Sequence, residues 1–144
     1  MEQPQYNLLD RKRFEVEYKP VFEKYGMGTT TWSPLASGAL TGKYLEGIPE
    51  GSRASLEGYE WLKNSMVESE RGQERMTKVS ALAPIAEEMG VKLSNLAIAW
   101  CLLNENVSTV ILGASKVEQL EENLKSLEVL PLINQEVINK LSSI

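Results

Sequence analysis

The chain has 144 residues, 42% of them apolar and 24% charged, and a net charge of −5; this is about one ordinary domain, and with no lysine or arginine run it excludes a nucleic-acid-binding face. No apolar run reaches the roughly 18 residues of a membrane span and the N-terminus has no signal-peptide core, so a cytoplasmic location is expected. Histidine is absent and Cys101 is the single cysteine, which excludes serine–histidine triads, histidine bases, histidine or thiolate metal sites and disulfides.

Residues 1–7 open with a polar pattern and no preceding strand. Phe14, Val16, Tyr18, Val21, Phe22 and Tyr25 recur at loose helical spacing. Pro20 belongs in the first turns of that helix or kinks it, and Gly26 ends it as a left-handed cap. Gly28 to Trp32 is β-rich and predicts a strand. It runs into Ser33-Pro34-Leu35-Ala36-Ser37-Gly38, the start of a long loop over 33–73 punctuated by Gly47, Pro49, Gly51, Gly58 and Gly72. A loop of that length in a compact domain usually has a function.

Met76, Val79, Leu82, Ala83, Ala86 and Met89 predict a helix closed by Gly90, with a bend or a restart at Pro84. Ser94 is the expected N-cap of a helix whose residues 96–103 are apolar almost all round, so that helix should be buried and Cys101 a buried structural thiol. Val107 to Leu112 predicts a second strand. Ser115 and Glu118 then form an S-x-x-E capping box, followed by the stripe Val117, Leu120, Leu124 and Leu127. Asn134 caps a last helix carrying Val137, Ile138 and Leu141. Two strand-to-loop units separated by helices imply parallel strands with right-handed crossovers.

Two stretches point to chemistry. Strand, glycine and helix start at Gly113-Ala114-Ser115 make an anion site, because free N–H groups there carry roughly half a positive charge. A plain N-cap without ligand is the commoner meaning of such a box. Trp32 ends a strand with a flat π-surface suited to stacking on a planar ring, or serves as a core or interface aromatic. Lys43 and Arg53 are cations for phosphate charge; standing alone, such side chains are mostly just solvated.

The blocks WSPLASGALTGKY (32–44), SRASLEGYEWLK (52–63), LAIAWCL (96–102), VILGAS (110–115) and EQLEENL (118–124) resemble the C-terminal half of the aldo-keto reductases. Within that superfamily they look most like the β subunits of voltage-gated potassium channels and their plant and microbial relatives. The resemblance covers essentially all 144 residues, with the five blocks in order. It implies an α/β fold: the C-terminal part of a TIM (β/α)8 barrel, from the end of strand six to the C-terminal helices, with two parallel strands and flanking helices and the barrel incomplete. Segment 33–73 would be a loop covering a cofactor.

The implied cofactor is NADPH/NADP+. By resemblance Gln3 bonds the nicotinamide carboxamide and Trp32 stacks on the ring. Ser33, Pro34, Leu35, Ala36 and Ser37 follow the pyrophosphate, and Lys43 and Arg53 meet the phosphate charge. Gly113, Ser115, Gln119, Glu122 and Asn123 line the adenosine end, with Ser115 near the 2′-phosphate and Asn123 facing the adenine, while Glu118 stays a structural cap. Ser37 departs from the animal channel subunits, which tend to carry cysteine there.

The family's catalytic tyrosine, lysine, aspartate and histidine belong to its N-terminal half, so no catalytic residue is assigned in this chain. The implied activity of the full-length protein is hydride transfer from NADPH to an aldehyde or ketone. The alternatives are a regulatory channel β subunit, whose partner is the channel's cytoplasmic domain, and an inactive truncated fragment. Full-length channel β subunits form tetramers, which leaves homo-oligomerisation open. Two parallel strands cannot close a barrel, so an open layer with an exposed apolar patch is expected.

Overall fold

The computed structural model describes residues 1–144. Two short strands, β1 (Thr29–Thr31) and β2 (Val107–Val110), pair in parallel, with Thr29 opposite Val107, Thr30 opposite Thr109 and Thr31 opposite Val110. Ile111 adds one more backbone bond to the Thr31 carbonyl at 2.8 Å. Regular pairing thus stops before Leu112, the predicted strand end. Thr29 and Thr31 are fully buried. Their hydroxyls donate across the pair to the carbonyls of Asn106 (2.6 Å) and Thr109 (3.4 Å), which offsets the cost of taking them out of water.

The first residues form a third parallel element on the other side of β1. Glu2 bridges Thr29 and Gln5 bridges Trp32, and backbone bonds alternate from Glu2 N–H to Gly28 through Tyr6 N–H to Trp32. This pairing is longer than the residue or two expected from the resemblance. β1 is therefore the centre of a three-element parallel layer that stays open.

Helix α1 (Lys19–Tyr25) has Pro20 in its first turn, and Gly26, at φ 57°, returns its N–H to the Phe22 carbonyl. A π-helical turn over Arg13–Glu17 precedes it and breaks the helical register. Only Phe14 and Phe22 of the predicted stripe are buried, while Val16 and Tyr25 face solvent. Phe14 stacks on Tyr6 at 4.2 Å, and Tyr6 also meets Trp100 at 4.8 Å.

Segment 33–73 is more structured than a bare loop. It carries 3-10 turns at Ala36–Thr41 and Arg53–Ser55, a short helix α2 (Glu60–Lys63) and a π-helical turn at Asn64–Glu68. Helix α3 (Glu70–Glu88) starts at Glu70 rather than Met76 because the Ser69 hydroxyl caps it, accepting from Gly72 N–H. Gly72 is not a loop glycine: a Cβ there would lie 2.8 Å from the backbone of Met66 and Val67. The helix runs unbroken through Pro84, with no restart. Ser80, whose carbonyl loses its N–H partner to the proline, is exposed, so solvent can take that partner's place.

Helix α4 (Leu93–Leu102) begins after Lys92, so Ser94 falls inside the first turn and is not the cap. It is buried on all sides, as its composition requires. Helices α5 (Val117–Leu124), α6 (Ser126–Val129) and α7 (Gln135–Ser142) complete the chain, with the Asn134 side chain accepting from Val137 N–H at 3.0 Å. The core lies between α3, α4 and the 36–44 turn, around Ala39, Leu40, Tyr44, Val79, Leu82 and Leu96. The α5 stripe has no partner: Val117, Leu120, Leu124 and Leu127 are 68, 44, 53 and 61% exposed. No helix is long and apolar enough to cross a membrane.

Candidate functional site

Because the three layer elements are parallel, the chain leaves β1 and β2 at the same end, where the predicted site residues follow. Immediately after β1, Ser33, Ala36 and Ser37 adopt left-handed backbone at φ 57°, 48° and 57°. Non-glycine residues there cost on the order of 1 kcal/mol each, and such strain gathers at ligand sites. The turn is over-determined by hydrogen bonds. The Ser33 carbonyl accepts from Ala36 N–H (3.0 Å) and from the Asn7 side-chain amide (2.9 Å), and the Ser33 hydroxyl accepts from Ser37 N–H (3.3 Å). Pro34, Ala36, Ala39 and Leu40 anchor it in the core, whereas Trp32 stands half-exposed above it.

Lys43 folds back onto this turn. Its Cε and Nζ lie 2.9 Å from where a Gly38 Cβ would be, and Nζ sits 5.0 Å from the Tyr44 ring centre. Gly38, at φ 95°, supplies both the backbone shape and the space. Arg53 lies 5.2 Å from the Tyr59 ring in its own part of the segment. Neither Lys43 nor Arg53 is in an ion pair, so both offer unneutralised cations to solvent. The Tyr44 hydroxyl is buried without a partner.

After β2, Gly113 is exposed with open space around it. The expected Ser115–Glu118 box is not formed, because α5 starts after Lys116. Gln119 then takes the third helical position, and its Oε1 accepts from both the N–H (2.9 Å) and the hydroxyl (3.1 Å) of Ser115. Glu118 makes no capping bond. Glu122 is bridged by Lys92 at 2.9 Å and Lys125 at 3.0 Å, and these hydrogen bonds hold its carboxyl below the ordinary carboxylate range. Asn123 is buried, its carbonyl accepting from the Ser126 hydroxyl. Gln3 sits exposed on the first parallel element.

The structure thus brings Trp32, Ser33–Ser37 and Lys43 into one turn, carries Gly113 and Ser115 out of β2 at the same end of the layer, and leaves Arg53 and Asn123 in separate surroundings. Sequence reasoning missed Asn7, whose side chain is fully buried and joins the first element to the turn. Its signal was an asparagine before the sharp turn at Leu8-Leu9-Asp10. Two other polar groups are inert. The Cys101 thiol, donating to the Tyr6 carbonyl, is pushed up to about 12 by burial. The Tyr6 phenol is pushed well above its ordinary value, chiefly by burial, and donates to Glu15.

A model of the Aldo/keto reductase family matches residues 1–144. This chain belongs to the aldo/keto reductase family. Two relatives of this family member carry the name "Probable voltage-gated potassium channel subunit beta". One, from Oryza sativa subsp. japonica, is 51% identical over 146 residues, and one from Arabidopsis thaliana is 49% identical over 146 residues. Each alignment covers 100% of this chain and 43% of the relative, so this aldo/keto reductase chain spans less than half the length of those relatives.

Proposed function

We propose that this chain is the NADPH-binding part of an aldo-keto reductase, acting on aldehydes or ketones together with the remainder of a barrel. The observation that carries this reading is the turn after β1. Three non-glycine residues are held in left-handed backbone beside a half-exposed tryptophan and an unneutralised lysine. The donor set suits a phosphorylated dinucleotide. Trp32 stacks on the nicotinamide, and residues 33–37 follow the pyrophosphate, with the Ser37 hydroxyl donating to it. Lys43 and Arg53 supply charge, and Ser115 donates to the 2′-phosphate once Gln119 releases it. Gln3 orients the carboxamide, while Gly113, Glu122 and Asn123 flank the adenosine end.

The cofactor supplies a hydride when bound; this chain's residues bind, orient and screen it. None of its side chains is proposed as the acid. A second reading, that the whole protein regulates a potassium channel through its cytoplasmic domain, rests on the names of the two relatives.

The test is fluorescence enhancement of NADPH titrated into the folded chain. Saturable binding, weakened about tenfold by Lys43→Ala and by Arg53→Ala, is expected, as the loss of one charge-assisted hydrogen bond implies. A chain folded by circular dichroism that shows no saturable enhancement overturns the reading.

A further inference from the structure

We propose that Asn7 is the positioning residue of the turn that receives the pyrophosphate, an inference that rests on the cofactor reading above. Its amide makes three hydrogen bonds that join two otherwise separate pieces of chain. Nδ2 donates to the Ser33 carbonyl at 2.9 Å, while Oδ1 accepts from Leu9 N–H and Asp10 N–H, both at 2.9 Å. The side chain has no solvent exposure, so none of these bonds is replaced by water when it is lost.

The placement of the bond matters as much as its existence. Ser33 is the first left-handed residue after β1, at φ 57°. Its carbonyl accepts from Ala36 N–H and its hydroxyl from Ser37 N–H, so the orientation of Ser33 sets the course of the turn that follows. A serine left to itself favours right-handed or extended backbone. Parallel pairing of Gln5 with Trp32 brings Asn7 alongside Ser33. A side chain that donates forward from one atom and accepts from its own turn at another is then needed, and among the short side chains an amide carries both atoms. Asn7 touches no ligand; it acts through Ser33.

Two variants separate the parts of this role. Asn7→Asp keeps the acceptor for Leu9 and Asp10 and loses the donor to Ser33, whereas Asn7→Ala loses both. Leu141→Ala, which opens the core at α7 away from the turn, controls for general destabilisation. Amide exchange is measured without cofactor, and NADPH binding by fluorescence. Exchange at Ala36, Ser37 and Gly38 is expected to rise about tenfold in both Asn7 variants and not in Leu141→Ala, with NADPH affinity falling about tenfold in the same two, as one lost hydrogen bond would give.

Unchanged exchange at those amides overturns the positioning role. If the wild-type chain binds no NADPH while exchange still depends on Asn7, the cofactor reading fails and the role of Asn7 stands as a determinant of the turn. If the variants do not fold, the side-chain Nδ2 protons of Asn7 in the wild-type chain decide: slow exchange, as for a core amide, supports the staple and fast exchange overturns it.

Discussion

Asp10 and Arg75, 65 residues apart, meet in a two-pronged ion pair with Nη1–Oδ1 at 3.1 Å and Nη2–Oδ2 at 2.9 Å. The pair ties the chain just after the first parallel element to the first turns of α3, and Gln5 adds a donor to the same carboxylate at 2.9 Å. Asp10, 20% exposed, is also met by Arg71 at 3.6 Å, whereas Arg75, 14% exposed, has no other charged partner, so Arg75 depends on Asp10 for most of its solvation. Asp10→Ala should therefore cost about 2–4 kcal/mol by stranding a largely buried guanidinium. Asp10→Ala with Arg75→Leu should cost less than the single change. Urea unfolding of the three proteins checks this, and equal losses in single and double variants would contradict it.

Gly38 is required twice, for its φ of 95° and for the Lys43 tip at 2.9 Å from its missing Cβ. Gly38→Ala should lower stability by about 1–2 kcal/mol through the left-handed backbone. It should also push Lys43 off the turn and weaken NADPH binding about tenfold. Lys43→Ala should share the binding loss without the stability loss, a contrast read by pairing thermal melts with NADPH titration.

The buried Cys101 thiol and Tyr6 phenol make the protein alkali-sensitive. Both have folded values raised, Cys101 from 9.0 to about 12, and Tyr6 upward from 10.0, chiefly because burial penalises their charged forms. The folded state thus holds these protons longer than the unfolded state, and stability falls as pH rises. For Cys101 the loss begins near pH 9 and amounts to about 1.4 kcal/mol per pH unit until its folded value is reached. Cys101→Ser should remove that first part of the slope, leaving the Tyr6 part above pH 10, in denaturant melts from pH 8 to 11. At pH 8 Cys101 should stay unreactive to a thiol reagent until the chain is unfolded.

Features decided within a few residues were legible in the sequence. Gly26 and Asn134 announced helix ends, residues 96–103 announced a buried helix, and Pro34 with its small neighbours announced the turn after β1. Features decided by which of several possible caps a helix takes, or by distant partners, were not. The start of α3 at Glu70 depends on Ser69 capping and on Gly72 packing against Met66 and Val67. The cap before α5 moved from Glu118 to Gln119 because the helix begins one residue later than the pattern suggests. Within the site, Ser33, Ala36 and Ser37 gave no sign of left-handed backbone, since the residue that favours it is glycine. What holds them there, Asn7, lies 26 residues from Ser33 along the chain.

The α5 stripe has the hydrophobic spacing of a packed helix but lies open. Burying one such leucine is worth roughly 1.5–3 kcal/mol, so Val117, Leu120, Leu124 and Leu127 together are a strong drive toward association, dye binding or aggregation in the isolated chain. Leu120→Glu with Leu124→Glu removes the centre of the stripe without touching the core, since both side chains are already exposed. The double variant should bind less of an apolar dye and sediment as a smaller, concentration-independent species, with an unchanged melting temperature at low protein concentration. A lowered melting temperature there would mean that the stripe packs within the chain, and that the exposed arrangement is not the one in solution.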